Sequence, residues 1–327
     1  MKIKSRVKKY LNLDCLVYKI LFISLFKIKK YILFILFFLI IIINKTYYLL
    51  KKNIQICLCT LGKEENKYVR EYISHYFKFG VDKIFIYDNN DIDGESFNTI
   101  INDYIQNKYV EVLNFRGIKK VQFKTMNHCY KNNFLKYDWL IFYDMDEFIY
   151  LKNIFNLKIF LNKPIFNKCH SIRLNNIFHS DNNNLHYINK PLSERFPEII
   201  RNMKKYPIKT ILRGNITGIK IANVHWLSKN KKIKACNGFG NIVKKIVFYA
   251  DKVDKKKYYI NHYCFKSTEE FINKIKRGSA VFGLKKRMYI KIRFYFAFNK
   301  ITLNKINYIE KSTGLNLNIF RNKIKKY

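Results

Sequence analysis

After residue 52 the chain is written in short apolar blocks separated by amphipathic ones. Residues 53–60 (NIQICLCT) read as a buried strand. Over 64–79, Tyr68, Val69, Tyr72, Ile73, Tyr76 and Phe77 recur at i, i+1, i+4, i+5, i+8 and i+9. That spacing predicts a helix with one apolar face, closed by Gly80 just past its end. Residues 83–87 (KIFIY) predict a second strand, which runs into the polar cluster Asp88, Asn89, Asn90 and Asp91. A helix is expected from Gly94 to Asn107, a third strand over 109–113, a helix over 121–136 and a fourth strand over 139–143. This β-α-β-α-β-α-β alternation predicts an α/β fold, Rossmann-like, with a mostly parallel sheet and helices on both faces.

Beyond Glu147 the regular alternation stops. Residues 175–184, rich in Asn, read as a polar loop carrying His179 and Asp181. Strands are expected over 209–212 and 219–226 around a glycine-containing turn, and again over 258–265 (YYINHYCF). Ser267 and Glu270 have the spacing of a capping box, opening a helix with Phe271, Ile272 and Ile275 on one face and Arg277–Gly278 at its end. Residues past about 285 are basic and aromatic and carry no period that assigns them to an element.

The fourth strand ends in an abrupt change of character. Residues 139–148 read WLIFYDMDEF, an apolar run followed by Asp144, Asp146 and Glu147. If the backbone stays extended there, Asp144 and Asp146 face the same side. Two carboxylates facing one way repel unless a cation lies between them, and hard oxygen ligands suit Mg²⁺ or Mn²⁺ carrying substrate phosphates. In open α/β sheets the ligand crevice lies at the carboxyl ends of the strands, where this pair sits. The same residues also read as a solvated acidic turn.

Composition changes the picture little. The chain has 327 residues, 49% of them hydrophobic, enough to bury one large core or two modest ones. Its formal charge of +40 first suggests nucleic acid, an anionic membrane or a phosphate-bearing substrate. The excess is spread along the chain, however, and accompanies an excess of Ile, Asn, Phe and Tyr, as A/T-rich codons produce. Charge alone therefore selects no partner, and neither a clustered basic face nor a nucleic-acid motif is present, so nucleic acid is not expected to bind. The seven cysteines (15, 57, 59, 129, 169, 236 and 264) form no CxxC pair, and buried free thiols are the expectation.

The N-terminus does add something. Residues 31–43 are thirteen consecutive apolar residues, and tolerating Asn44, Lys45 and Thr46 extends the stretch to Leu50, long enough for a transmembrane helix over 31–50. Lys2, Lys4, Arg6, Lys8, Lys9, Lys27, Lys29 and Lys30 crowd its N-terminal side, which favours that side being cytoplasmic. The expectation is a type II, single-pass membrane protein: residues 1–52 form a basic anchor, and 53–327 form a catalytic domain on the non-cytoplasmic side. An interfacial amphipathic anchor is the alternative.

Three blocks in order, KEENKYVREYISHYFKFGVDKIFIYDNND, DWLIFYDMDEF and NHYCFKSTEEFINKIKRG, make the chain recognisable. Over about 54–278 it resembles glycosyltransferase family 92 and the related family-2-like transferases of GT-A fold. The resemblance implies a glycosyltransferase using a nucleotide-sugar donor, UDP-linked, and a glycan or glycolipid acceptor. Asp144-Met145-Asp146 would be its DxD motif, with Mn²⁺ or Mg²⁺ bridging the donor diphosphate. It implies His262 as a further metal ligand, although a lone strand histidine is more often structural. Asp88 would hold the nucleoside base or ribose, and Glu65 would line the same pocket. For these two an Asx turn and a helix N-terminal charge are the plainer readings. Lys266 and Arg277 would contact the diphosphate, unless Arg277 only favours a helix C-terminus.

For the base that deprotonates the acceptor, SDNNNLHYINKPLSERF offers Asp181 and Glu194, and the resemblance selects Asp181; a solvated loop carboxylate is the competing reading. Asn176 and His179 depart from the family pattern, which expects an aromatic residue and a glycine there, so the acceptor pocket is less defined than the donor site. His225 and Trp226 would line the acceptor cleft or else pack in the core. Three further classes stand beside this reading: a non-catalytic carbohydrate-binding protein, a basic nucleic-acid-binding protein, which would need the clustered basic face or motif not found here, and a metal-dependent phosphohydrolase. The last usually carries its acidic pair after the first strand rather than the fourth.

Overall fold

The computed structural model describes residues 54–200, 203, 206–222, 233–243, 249–250, 257–278 and 285–324, together with Tyr31, Ile35, Leu36 and Leu39. The chain divides into two compact units, Met1–Asn53 and Ile54–Tyr327. In the first, the four described residues are helical and exposed. Among the described residues no helix is long and apolar enough to cross a membrane. The rest of the span expected over 31–50 lies outside the described residues, as do His225 and Trp226.

The second unit begins with the expected alternation: β1 Ile56–Gly62, α1 Asn66–Lys78, β2 Lys83–Asp88, α2 Phe97–Ile100, α3 Asn102–Gln106, β3 Val110–Asn114, α4 Gln122–Asn133 and β4 Trp139–Phe142. The helix expected over 94–107 is two short ones, broken where Ile101 leaves helical geometry at φ −126° and enters the core beside Phe97. β1 shows why both sheet faces need helices. Its Ile56 and Leu58 pack with Tyr68, Val69, Tyr72, Ile73 and Tyr76 of α1. The intervening Cys57 and Cys59 pack with Met126, Cys129 and Tyr130 of α4 on the other face. Each such large apolar side chain contributes about 1.5–3 kcal/mol on burial.

After β4 come β5 Glu147–Leu151, α5 Leu157–Leu161, β6 Ser171–Phe178, α6 Leu192–Arg195, β7 Tyr206–Arg213, β8 Ala235–Asn237, β9 Tyr249–Ala250 and β10 Tyr258–His262. The strand order is β3-β2-β1-β4-β7-β6-β10-β5, with β8 beside β6 and β9 beside β7. From β3 to β4 all pairings are parallel, but β7 lies antiparallel to both β4 and β6, and β5 antiparallel to β10. The sheet is therefore mixed, which corrects the mostly parallel expectation: once the helical crossovers stop after β4, nothing forces neighbours to run the same way. The loop expected over 175–184 begins inside β6, residues 219–222 are not strand, and β10 stops at His262.

The thiols are also corrected. Cys59–Cys129 ties β1 to α4, and Cys169–Cys236 ties the entry of β6 to β8, leaving Cys57 and Cys264 free among the described cysteines. Both bridges join residues about seventy positions apart, a pairing no local spacing reveals.

The C-terminal stretch is α7 Thr268–Lys276, α8 Lys285–Phe298, α9 Leu303–Thr313 and α10 Asn318–Ile324. The capping box of Ser267 and Glu270 is present at the start of α7, and Gly278, at φ 84°, follows its end. Phe271, Ile272 and Ile275 pack with Ile292, Tyr295 and Phe296 of α8, with Ile306 and Ile309, and with Phe320. The i, i+3, i+4 spacing of Ile292, Tyr295 and Phe296 was thus present in the sequence, obscured because aromatic and basic residues occupy every side of that helix.

Candidate active site

The acidic residues of 144–147 do not continue a strand. β4 ends at Phe142, residues 145–146 turn, and the Glu147 amide donates back to the Asp144 carbonyl at 3.0 Å. A turn, not strand alternation, brings Asp144 and Asp146 to the same cleft. Three hydrogen bonds from other elements hold that turn. The hydroxyls of Tyr72 and Tyr76, one helical turn apart on α1, donate to the carbonyls of Tyr143 (3.0 Å) and Glu147 (2.7 Å). The Tyr263 amide donates to the Asp146 carbonyl at 2.9 Å. Gly62 supplies the room, since a Cβ there would lie 2.7 Å from Met145 Cε and 2.5 Å from the Phe97 ring. The periodicity of α1 identified its tyrosines as core; that two of them also clamp the acidic turn required the fold.

Glu147 is fully buried beneath this turn. Its Oε2 accepts the Asp144 amide at 3.0 Å and lies 3.0 Å from Lys209 Nζ, which itself donates to Asp144 Oδ2 at 2.7 Å. Burial works against the Lys209 ammonium, yet Asp144 and Glu147 together raise its pKa, keeping it charged. Asn176 donates to Glu147 Oε1 at 2.7 Å and lies 3.2 Å from His262 Nδ1. Asn176 therefore orients the histidine. His262 ends β10 opposite Glu147, and its Nε2 faces Asp146 Oδ1 at 3.5 Å. The other oxygen, Asp146 Oδ2, accepts from Lys274 Nζ at 2.6 Å. Burial would raise the Asp146 carboxyl, but Lys274 and then His262 overcome it and hold it well below the usual carboxylate range.

Beside this cluster, Glu65 is buried at the entry of α1 and takes Lys266 at 3.0 Å and Arg277 at 2.6 Å. Burial is again opposed, by Lys266 first and Arg277 second, and the Glu65 carboxyl is lowered. Lys266 Nζ also sits 3.3 Å from the Tyr68 ring centroid, while Arg277 donates to the carbonyls of Lys63 and Glu64. Asp88 is committed to its own loop: Oδ1 accepts from the Asn90 amide and side chain, and Oδ2 pairs with Arg116 at 3.0 Å. Its neighbours Asn89 and Asp91, rather than Asp88, line the cleft.

The cleft is about 600 Å³ and is bordered by Lys63, Glu65, Asp144, Asp146, His262, Lys274 and Arg277 among others. Lys209 and Lys274 belong to this arrangement and were not singled out by sequence, and Asn176 was singled out there only in connection with the acceptor pocket. Two expected residues lie elsewhere. Asp181 is 1% exposed and pairs with Lys305 at 2.5 Å. It also accepts from the Tyr295 hydroxyl and the Asn183 amide, in a buried network outside the residues that line the cleft. Glu194 is exposed on α6. His179 is buried, with Nδ1 2.7 Å from the Phe196 carbonyl and Nε2 2.8 Å from Asn261 Oδ1.

A divalent cation can be weighed against these residues. Among the described residues no three His, Cys, Asp or Glu side chains form a metal cage. Asp146 Oδ1 and His262 Nε2 nonetheless face each other on the cleft wall. His262 turns its inner nitrogen toward the Asn176 amide and, at 3.7 Å, Glu147, which leaves Nε2 on the Asp146 side of the ring. The pair fits an open site that depends on a substrate for its remaining ligands.

The family profile of glycosyltransferase family 92 matches residues 52–294, which hold this whole cluster. The chain belongs to glycosyltransferase family 92. A family 92 protein of Ricinus communis is 28% identical over 108 residues, 33% of this chain and 19% of that protein. One of Oryza sativa subsp. japonica is 29% identical over 100 residues, 31% of this chain and 17% of that protein. The matched segments thus span under a fifth of those relatives. A crystal structure of S. aureus TarS in complex with UDP-GlcNAc aligns at a TM-score of 0.33 and 12% identity, over 80% of each chain. A likeness that distant fixes nothing about the site.

Proposed function

We propose that this family 92 chain is a glycosyltransferase of GT-A type, moving a sugar from a nucleotide-sugar donor, UDP-linked, to a hydroxyl of a glycan or glycolipid. One observation carries the reading: Asp144 and Asp146, and His262 from a distant part of the sequence, line one cleft together with Lys63, Lys274 and Arg277. Asp146 and His262 would hold Mn²⁺ or Mg²⁺, with Asp144 beside them. Such an ion, when bound, supplies charge neutralisation for the leaving diphosphate. The chain's own contribution is positional. Tyr72, Tyr76 and Lys209 keep the acidic turn in place, Asn176 orients His262, and Glu65 braces Arg277 at the diphosphate end. Asn89 and Asp91 are placed to meet the nucleoside. The described carboxylates of the cleft are Glu65, Asp91, Asp144 and Asp146, so Asp181 is not assigned as base.

The test is a screen of UDP- and GDP-sugars for hydrolysis, with Mn²⁺ and with EDTA. Release of UDP or GDP that EDTA suppresses is the expected outcome. No turnover with any donor, together with no Mn²⁺-dependent UDP or GDP binding, would overturn the reading in favour of a non-catalytic carbohydrate-binding protein.

We also propose a type II anchor over 31–50, with the second unit on the non-cytoplasmic side. The apolar run and its basic N-terminal flank support this orientation, and so do two disulfides that suit an oxidising compartment. Protease treatment of sealed vesicles should leave the second unit intact until detergent is added. Digestion without detergent would reverse the orientation.

A further inference from the structure

Among the described residues, Lys209, Lys266, Lys274 and Arg277 pair with Glu65, Asp144, Asp146 and Glu147 around the cleft, beside the Lys63 pair with the exposed Asp91, and the four are not held alike. The Lys209 side chain is 3% exposed and is shared by Asp144 and Glu147. Lys266 is 5% exposed, paired with Glu65 and seated on the Tyr68 ring. Arg277 is bound to Glu65 and to two backbone carbonyls. Lys274 differs. Its side chain is 35% exposed, it has one carboxylate partner, and its other contact is the Cys264 carbonyl at 3.4 Å. The capping box fixes the backbone of α7, and Lys274 lines the cleft at the end of a four-carbon stem, whose rotatable bonds let an ammonium change partners.

Its partner is the carboxylate that faces His262. Asp146 Oδ2 is taken by the ammonium and Oδ1 looks toward the imidazole. A divalent cation arriving alone must therefore compete with a charge already there. A cation arriving with a diphosphate offers the displaced ammonium a new anion.

Resting on the donor-site reading above, we propose that Lys274 is an exchangeable counter-ion. It neutralises Asp146 while the cleft is empty, and moves to the donor diphosphate when a divalent cation takes Asp146. Metal and nucleotide then bind cooperatively, and the coupling is reciprocal. It also keeps the cleft from filling with metal when no donor is present.

Calorimetric titration with Mn²⁺, with and without saturating UDP, tests this on wild type, Lys274→Met and Lys274→Arg. Lys274→Met removes the competitor, so Mn²⁺ alone should bind about tenfold tighter, and the tightening by UDP should shrink by about the same factor. Lys274→Arg keeps the charge and should bind Mn²⁺ alone as weakly as wild type. If Lys274→Met binds Mn²⁺ no tighter than wild type, or if Lys274→Arg matches Lys274→Met, the counter-ion role is wrong and the donor site stands. Wild type that binds neither Mn²⁺ nor UDP removes the donor site, and this inference with it.

Discussion

Asp146→Asn is expected to lower metal-dependent release of the nucleoside diphosphate by about 10²–10³-fold, the usual cost of one electrostatic contact to a developing charge. The substitution keeps the shape of the side chain and removes its charge, the property that faces both His262 and Lys274. The turn itself should survive, because its backbone is held by Tyr72, Tyr76 and Tyr263 and not by the Asp146 carboxylate. Lys274, one third exposed, can return to water, so the stability loss should be smaller than that of breaking a fully buried pair. Donor hydrolysis and thermal unfolding on the same preparation separate the two effects. Retention of full activity in a folded Asp146→Asn protein would remove Asp146 from the site.

Lys305→Met should act in the opposite sense, on folding. Lys305 and Asp181 are each 2% exposed at the side chain and pair at 2.5 Å. Lys305 also donates to the Lys300 carbonyl at 2.9 Å, and Asp181 receives the Tyr295 hydroxyl. Removing the ammonium leaves a buried carboxylate without its counter-charge, at a cost of about 3–5 kcal/mol. Removing both charges in Lys305→Met/Asp181→Asn should recover most of that loss. Urea unfolding of the two single variants and the double variant gives the coupling directly. An Asp181→Asn protein as stable as wild type but inactive toward an acceptor would restore Asp181 as the base.

The sequence by itself determined what depends on neighbours along the chain. Residues 53–60, 64–79 and 83–87 carry the periods of β1, α1 and β2, and Ser267 with Glu270 encodes the start of α7 within four residues. The abrupt change from WLIFY to DMDEF marked the acidic turn, and the order of three blocks marked the family. Only the tertiary structure decided what depends on distant partners. Lys209 reaches Asp144 across 65 positions, and Lys274 reaches Asp146 across 128. The mixed half of the sheet, both disulfides and the burial of Asp181 are of the same kind. Period and capping are local energies that a short window of sequence contains, whereas the partner of a charge or a thiol is chosen by how the whole chain packs. The identity of Asp146 could therefore be read as acidic at once, but which cation it holds could not.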